Sequence, residues 1–132
     1  MILQKDGMRA YKALGKLMNE ALNLHTAKKV FDMHAKLQPI WDFQMNEERK
    51  ILDRHPNVDP VTASVTYNEN DEETKNARIK ELSSFDKELD ALGAIEHPEI
   101  EIERIVIHMN DEPFIKITGN DIKALQGFVE FE

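Results

Sequence analysis

Cysteine is absent from the chain. That excludes a disulfide framework and makes a reducing cytoplasm the expected compartment. Long apolar runs are missing too: no window approaches about 18 consecutive apolar residues, and the opening MILQKDGMRAYK has none. A secreted or membrane-spanning protein is therefore not expected. The five glycines form neither GxGxxG nor GxxxxGK[ST], and TGND at 118–121 holds only one of them, so no phosphate cradle is present. Ser64, Ser83 and Ser84 lack a GxSxG setting. No HExxH occurs, and none of the five histidines is paired at i,i+4. NENDEE resembles the start of a calcium loop, but counting from Asn68 its sixth and twelfth positions are Glu73 and Ile79 rather than glycine and glutamate. No cofactor, metal or catalytic residue is expected, and the chain reads as a non-enzyme.

What remains is 132 residues, of which 41% are hydrophobic and 32% charged. A chain of this length buries roughly two-thirds of its unfolded surface, enough for one domain over 1–132 without staples. The high charge implies a helix-rich shape with much solvated surface. The net charge of −8 is unevenly placed. Residues 1–55 carry ten Lys/Arg against seven Asp/Glu (+3), and residues 56–132 carry seven against eighteen (−11). An acidic half repels phosphate backbones, so direct nucleic-acid binding is not expected.

Periodicity divides the chain into a helical part, 8–55, and a mixed part, 56–132. Met8, Tyr11, Leu14, Leu17, Met18, Ala21 and Leu22 fall at helical spacing. A break follows, and Thr26 is the expected cap of a second helix reaching about Arg54. Its inward stripe would be Ala27, Val30, Phe31, His34, Leu37, Trp41, Met45 and Leu52. Pro39 withholds a bond from the Ala35 carbonyl and predicts a kink, or two separate helices. Pro56 and Pro60 bracket a turn, and VTASVTY (61–67) reads as a short strand. Asn70 with Glu73 forms a capping box for a third helix lined by Ile79, Leu82, Phe85, Leu89 and Leu92, stopped at Gly93.

EIEIERIVIH (99–108) alternates apolar and polar residues, then changes phase between Ile102 and Ile105. A bulge at Glu103–Arg104, or a bend between two short strands, would explain that change. FIKIT (114–118) is expected as an antiparallel second strand. Thr118 or Asn120 then starts a last helix, and Phe128, Val129 and Phe131 tie down the C-terminus. The fold class is α+β: a helical hairpin or three-helix layer beside a small antiparallel sheet.

His34 lies on an apolar stripe, where a core imidazole is expected, and His55 and His97 each precede proline in turns. Glu99, Glu101 and Glu103 read as an exposed acidic ladder that keeps a sheet edge soluble. With Glu72, Glu73 and Trp41 they make up the candidate interaction surface, Trp41 being either the anchor of the long helix or an interface aromatic.

The stretches ALGKLMNEALNLHTAKKVFDMHAKL, NEERKIL, FDKELDALGAIEHPEIEIERIVI and GNDIKALQGFVEFE together resemble a diffuse group of small, uncharacterised proteins of tailed bacteriophages and prophages. The resemblance covers most of residues 13–131. Pro39, Trp41 and a longer middle segment depart from the pattern. It implies expression inside a bacterial host, with or without incorporation in the virion, and assigns no catalytic residue. Three roles follow as expectations. One is an accessory or adaptor that binds a host or phage protein. Another is an acidic inhibitor that mimics nucleic acid on a host nuclease or defence protein. The third is a homo-oligomeric structural or assembly protein, its basic part meeting the acidic part of another copy.

Overall fold

A computed structural model describes residues 1–132. Strand β1 (Ile2–Leu3) leads straight into helix α1 (Gln4–Leu17). The helix begins ahead of the expected Met8 because Leu3 is extended at φ −83°, ψ 149° and the chain turns directly from the strand. It ends at Leu17, before the expected Leu22; Asn19 Nδ2 donates to the Gly15 carbonyl at 3.2 Å as the chain leaves the helix. Leu22 still packs on the core from outside the helix.

Helix α2 (Leu24–Arg54) is one unbroken helix of 31 residues, about 46 Å long. Its cap is Asn23, not Thr26: Asn23 Oδ1 accepts from the Thr26 amide at 3.0 Å. Pro39 sits inside the helix without splitting it. Both Ala35 and Pro39 are exposed, so water can take the bond that Ala35 loses. Val30, Met33, Leu37 and Ile40 are buried, whereas Phe31 is 54% exposed and Met45 40%, so these last two leave the expected stripe. α1 meets α2 in antiparallel order. Gln4 bonds to Ile40 and Gln44, Tyr11 to Gln38, and Gly15 lies against His34.

Helix α3 (Glu72–Gly93) is capped by Asp71, which accepts from the Thr74 amide and hydroxyl, one residue beyond the expected Asn70. Phe85 and Leu92 are its buried residues. They join Ile51 and Val58 in a second core cluster, separate from the larger one between α1, α2 and the C-terminal segment.

The expected strand over 61–67 is a loop holding one isolated bridge, Val58 to Val65. Asp59 Oδ1 accepts from the amides of Val61 and Thr62, and this local bonding competes with a ladder. Val61 is left 90% exposed.

Two sheets of two strands each complete the α+β fold. Strand β2 (Glu96–His97) pairs antiparallel with β1, Ile2 opposite His97. Strand β3 (Ile105–Ile107) pairs in parallel with β4 (Val129–Phe131), and not with FIKIT, which forms no strand. Parallel pairing needs a crossover. Residues 108–128 supply it through a short 3-10 turn (Met109–Asp111) and helix α4 (Gly119–Ala124). Ile115 and Ile117 of the FIKIT stretch pack half-buried on the main core as loop residues. Thr118 caps α4 in a capping box with Asp121. Gly127, at φ +86°, makes the turn into β4 that other residues adopt only with strain.

The phase change in EIEIERIVIH is a break. Residues 98–104 stand outside any ladder. Ile100 and Ile102 reach the main core from irregular chain, and Ile105 and Ile107 from β3. No bulge is needed, because residues 98–104, between β2 and β3, form no strand to be bulged.

Candidate functional site

A groove of about 980 Å³ runs between the start of α1, residues 98–102 and the turn from α4 into β4. Ile2 and Phe128 are buried beneath it, and half-buried Ile100 adds to its apolar lining. Arg9 and Lys123 bring positive charge to its walls, and Asp6 and Glu101 negative charge. An amphipathic groove with both signs of charge suits a polypeptide segment better than a single small anion.

A chain of polar side chains, buried at Gln4 and His97 and reaching the surface at Glu99, lies close in sequence to the groove residues Ile2, Pro98 and Ile100. Gln4 is fully buried, and its Nε2 donates to the Ile40 carbonyl at 2.9 Å and to Gln44 Oε1 at 3.0 Å. Gln44 Nε2 in turn donates to Glu48 Oε1 at 2.8 Å. On the other side, Gln4 Oε1 lies 2.6 Å from His97 Nε2, and His97 Nδ1 lies 2.8 Å from Glu99 Oε1. The edge of the His97 ring meets Phe43, with centroids 6.0 Å apart. The hydrogen bond from His97 holds the Glu99 carboxyl below the usual range, aided by Glu99's own amide.

A second cluster joins α2 to α3. Glu88 accepts from His55 at 2.7 Å and from Arg54 at 3.2 Å. The bond from His55 does most to pull the Glu88 carboxyl down; burial opposes it, and Arg54 adds a lesser pull in the same direction as His55. On the far side of α1, Tyr11 is sandwiched between His34 at 4.0 Å and Trp41 at 5.1 Å. Burial alone lowers the His34 pKa. Near α4, Lys16 bonds Asp121 at 3.0 Å, and this contact followed by the Thr118 hydrogen bonds lowers the Asp121 carboxyl.

The six residues singled out from the sequence fall in separate places. Trp41 is half-buried in the Tyr11 stack, with Lys12 Nζ 5.9 Å from its ring. Glu99 is committed to His97, Glu101 edges the large groove, and Glu103 lines a different hollow with Lys29, Lys36 and Arg104. The three glutamates are exposed but do not form one ladder, because no strand sets them in register. Glu72 and Glu73 lie at the start of α3, about 30 Å of helix from its end beside β2. No three His, Asp or Glu side chains converge on a point where a metal could sit.

Gln4 was not among the residues singled out, although its sequence position was informative. It falls on the same stripe as Gly7, Met8 and Tyr11, where a polar residue has to find partners. His97 and Glu99, two apart around Pro98, carry a weaker signal of the same kind. No helix is long and apolar enough to cross a membrane. No family model matches the chain, and neither a curated protein nor a solved structure is found to be similar to it.

Proposed function

We propose that the chain is a phage-encoded accessory protein that works by binding another protein, host or viral, and carries out no catalytic step. The observation that supports this reading is the groove between α1, residues 98–102 and the α4–β4 turn: an apolar floor under walls bearing Arg9, Lys123, Asp6 and Glu101. A partner segment that fits it is a short amphipathic stretch with one or two apolar anchors and flanking charges of both signs. The dispersal of Glu72, Glu73, Glu99, Glu101 and Glu103 favours this over a nucleic-acid mimic, which needs its carboxylates in one regular array. Capture from infected-cell lysate tests the idea, with Arg9→Glu/Lys123→Glu beside the unaltered chain. A stoichiometric partner held by the parent and lost by the double variant is the expected result. No partner, or one retained equally by both, rejects the groove as the binding site.

A further inference from the structure

We propose that His97 is a built-in proton-binding site, held as an imidazolium in the folded chain and controlling how tightly one wall of the groove is fastened. The directions of the hydrogen bonds around the ring call for this charge. Gln4 Nε2 faces two acceptors, the Ile40 carbonyl and Gln44 Oε1. Turning the carboxamide over would set its oxygen against both, so Gln4 Oε1 is the atom that faces His97. Gln44 has its own direction fixed, because its Nε2 faces the Glu48 carboxylate. His97 Nε2 therefore has to donate to Gln4 Oε1. On the other side of the ring Nδ1 faces the Glu99 carboxylate, so it too has to donate.

The row thus runs from carboxylate to carboxylate, Glu48–Gln44–Gln4–His97–Glu99, with an acceptor at each end. Two amides can only pass the direction along. One member must donate at both of its ends, and an imidazolium is the one that can. Placing the proton on Glu99 instead would require a protonated carboxyl on a side chain 64% exposed to water. The other groups around the ring do not replace the charge. Phe43 of α2 presents an apolar ring, Ile2 of β1 lies opposite in the ladder, and Glu96 is an exposed neighbour on its own strand. Lys5 of α1 lies against Gly93, and neither Glu48 nor Glu99 is in an ion pair with Lys or Arg. Once one ring proton leaves, one of the two bonds loses its donor, and either Gln4 or Glu99 is released. Ile2 and Ile100, neighbours of these groups in the chain, line the groove. The inference stands whether or not the groove takes a partner.

Long-range proton–nitrogen NMR of the histidine rings on the full chain tests it, from pH 5 to 9. At neutral pH His97 should show both nitrogens protonated, and the methyl signals of Ile2 and Ile100 should move with its loss of the second proton. In Glu99→Ala, altered at an exposed side chain and expected to fold normally, the second proton should leave at lower pH. In Gln4→Leu the ring should carry one proton at neutral pH. A single-proton pattern for His97 in the folded parent at neutral pH overturns the proposal. So does a Glu99→Ala chain whose ring titrates unchanged, which keeps the test decisive should Gln4→Leu fail to fold.

Discussion

Gly7 shows how closely α1 approaches α2. A Cβ built there would lie 2.5 Å from Ile40 Cδ1, 3.1 Å from Ile40 Cγ2 and 3.3 Å from Ile2 Cγ2. Ile40 is fully buried and has nowhere to swing. Gly7→Ala therefore sets an overpacking cost of about 1–3 kcal/mol against a helix-propensity gain of about 1 kcal/mol. A net loss on the order of 1 kcal/mol is expected in denaturant unfolding. Adding Ile40→Val, which removes Cδ1, should recover part of it, and strictly additive effects would disprove the contact. His34 yields a prediction with a definite sign. Burial lowers its folded pKa, so the unfolded chain binds the proton more readily. Stability then falls as the pH drops through about 6.5, the ordinary histidine value. His34→Gln should flatten that part of the stability–pH curve, read from urea midpoints. Asp121 acts in a more acidic range: its folded pKa is lowered, so its contribution is present above about pH 4 and lost as pH falls through the folded value. The two groups therefore weaken the fold in successive acid windows.

At the scale of elements, the helices were legible and the strands largely were not. A helix declares itself through neighbours three and four residues apart, so Ile79, Leu82, Phe85, Leu89 and Leu92 identified α3 from local pattern alone. β3 is three residues long and its partner β4 lies more than twenty residues away. Nothing local in IVI or VEF names that partner, and FIKIT alternates equally well without pairing. The caps of α2, α3 and α4 were legible to within a residue or a turn, because Asn, Asp and Thr cluster at those helix starts and several can do the work; α1, entered from Leu3 without a side-chain cap, gave no such signal. The candidate site was less legible still. The polar row through buried Gln4 and His97 spans residues 4 to 99, and only the fold brings them together. Glu112 adds a similar long-range tie: nearly fully buried, it accepts from the Asn23 backbone amide at 3.0 Å and from the Asn23 side-chain amide, fixing the loop after β3 to the start of α2. Asn23→Ala removes the cap and the side-chain half of this tie, leaving only the bond from the residue 23 backbone amide to Glu112. It should cost about 1–2 kcal/mol, at the upper end for a cap, and should raise amide exchange in 109–117 as well as in the first turn of α2. Exchange confined to α2 would mean that the Asn23 side chain adds nothing to the hold on that loop.

Across the whole molecule, α2 is the element that both cores share. Its N-terminal part supplies Val30, Met33, Leu37 and Ile40 to a cluster of 15 buried residues, which also takes in Ile2 near one terminus and Val129 near the other. Its C-terminal part supplies Ile51 to a cluster of four. Between Glu72 and Ser84, α3 buries no residue completely; half-buried Leu82 and the Asn57–Glu81 bond are that half's own contacts, and Phe85, Leu92 and the Glu88 contacts do the rest of the docking. A small cluster at the edge of a larger one should open by itself, since a region with few buried apolar contacts exchanges at lower free energy than the global transition. Phe85→Ala and Leu37→Ala should therefore differ in kind. Truncating Leu37 removes a fully buried side chain from the main cluster and should lower global stability by about 2–5 kcal/mol. Truncating Phe85 should release α3 and the 56–71 loop while α1 and the N-terminal half of α2 keep their protection. Hydrogen exchange read segment by segment separates the two: fast exchange limited to 56–93 in Phe85→Ala supports a two-tier molecule. Equal loss of protection in α1 and α3 would mean that the clusters unfold as one.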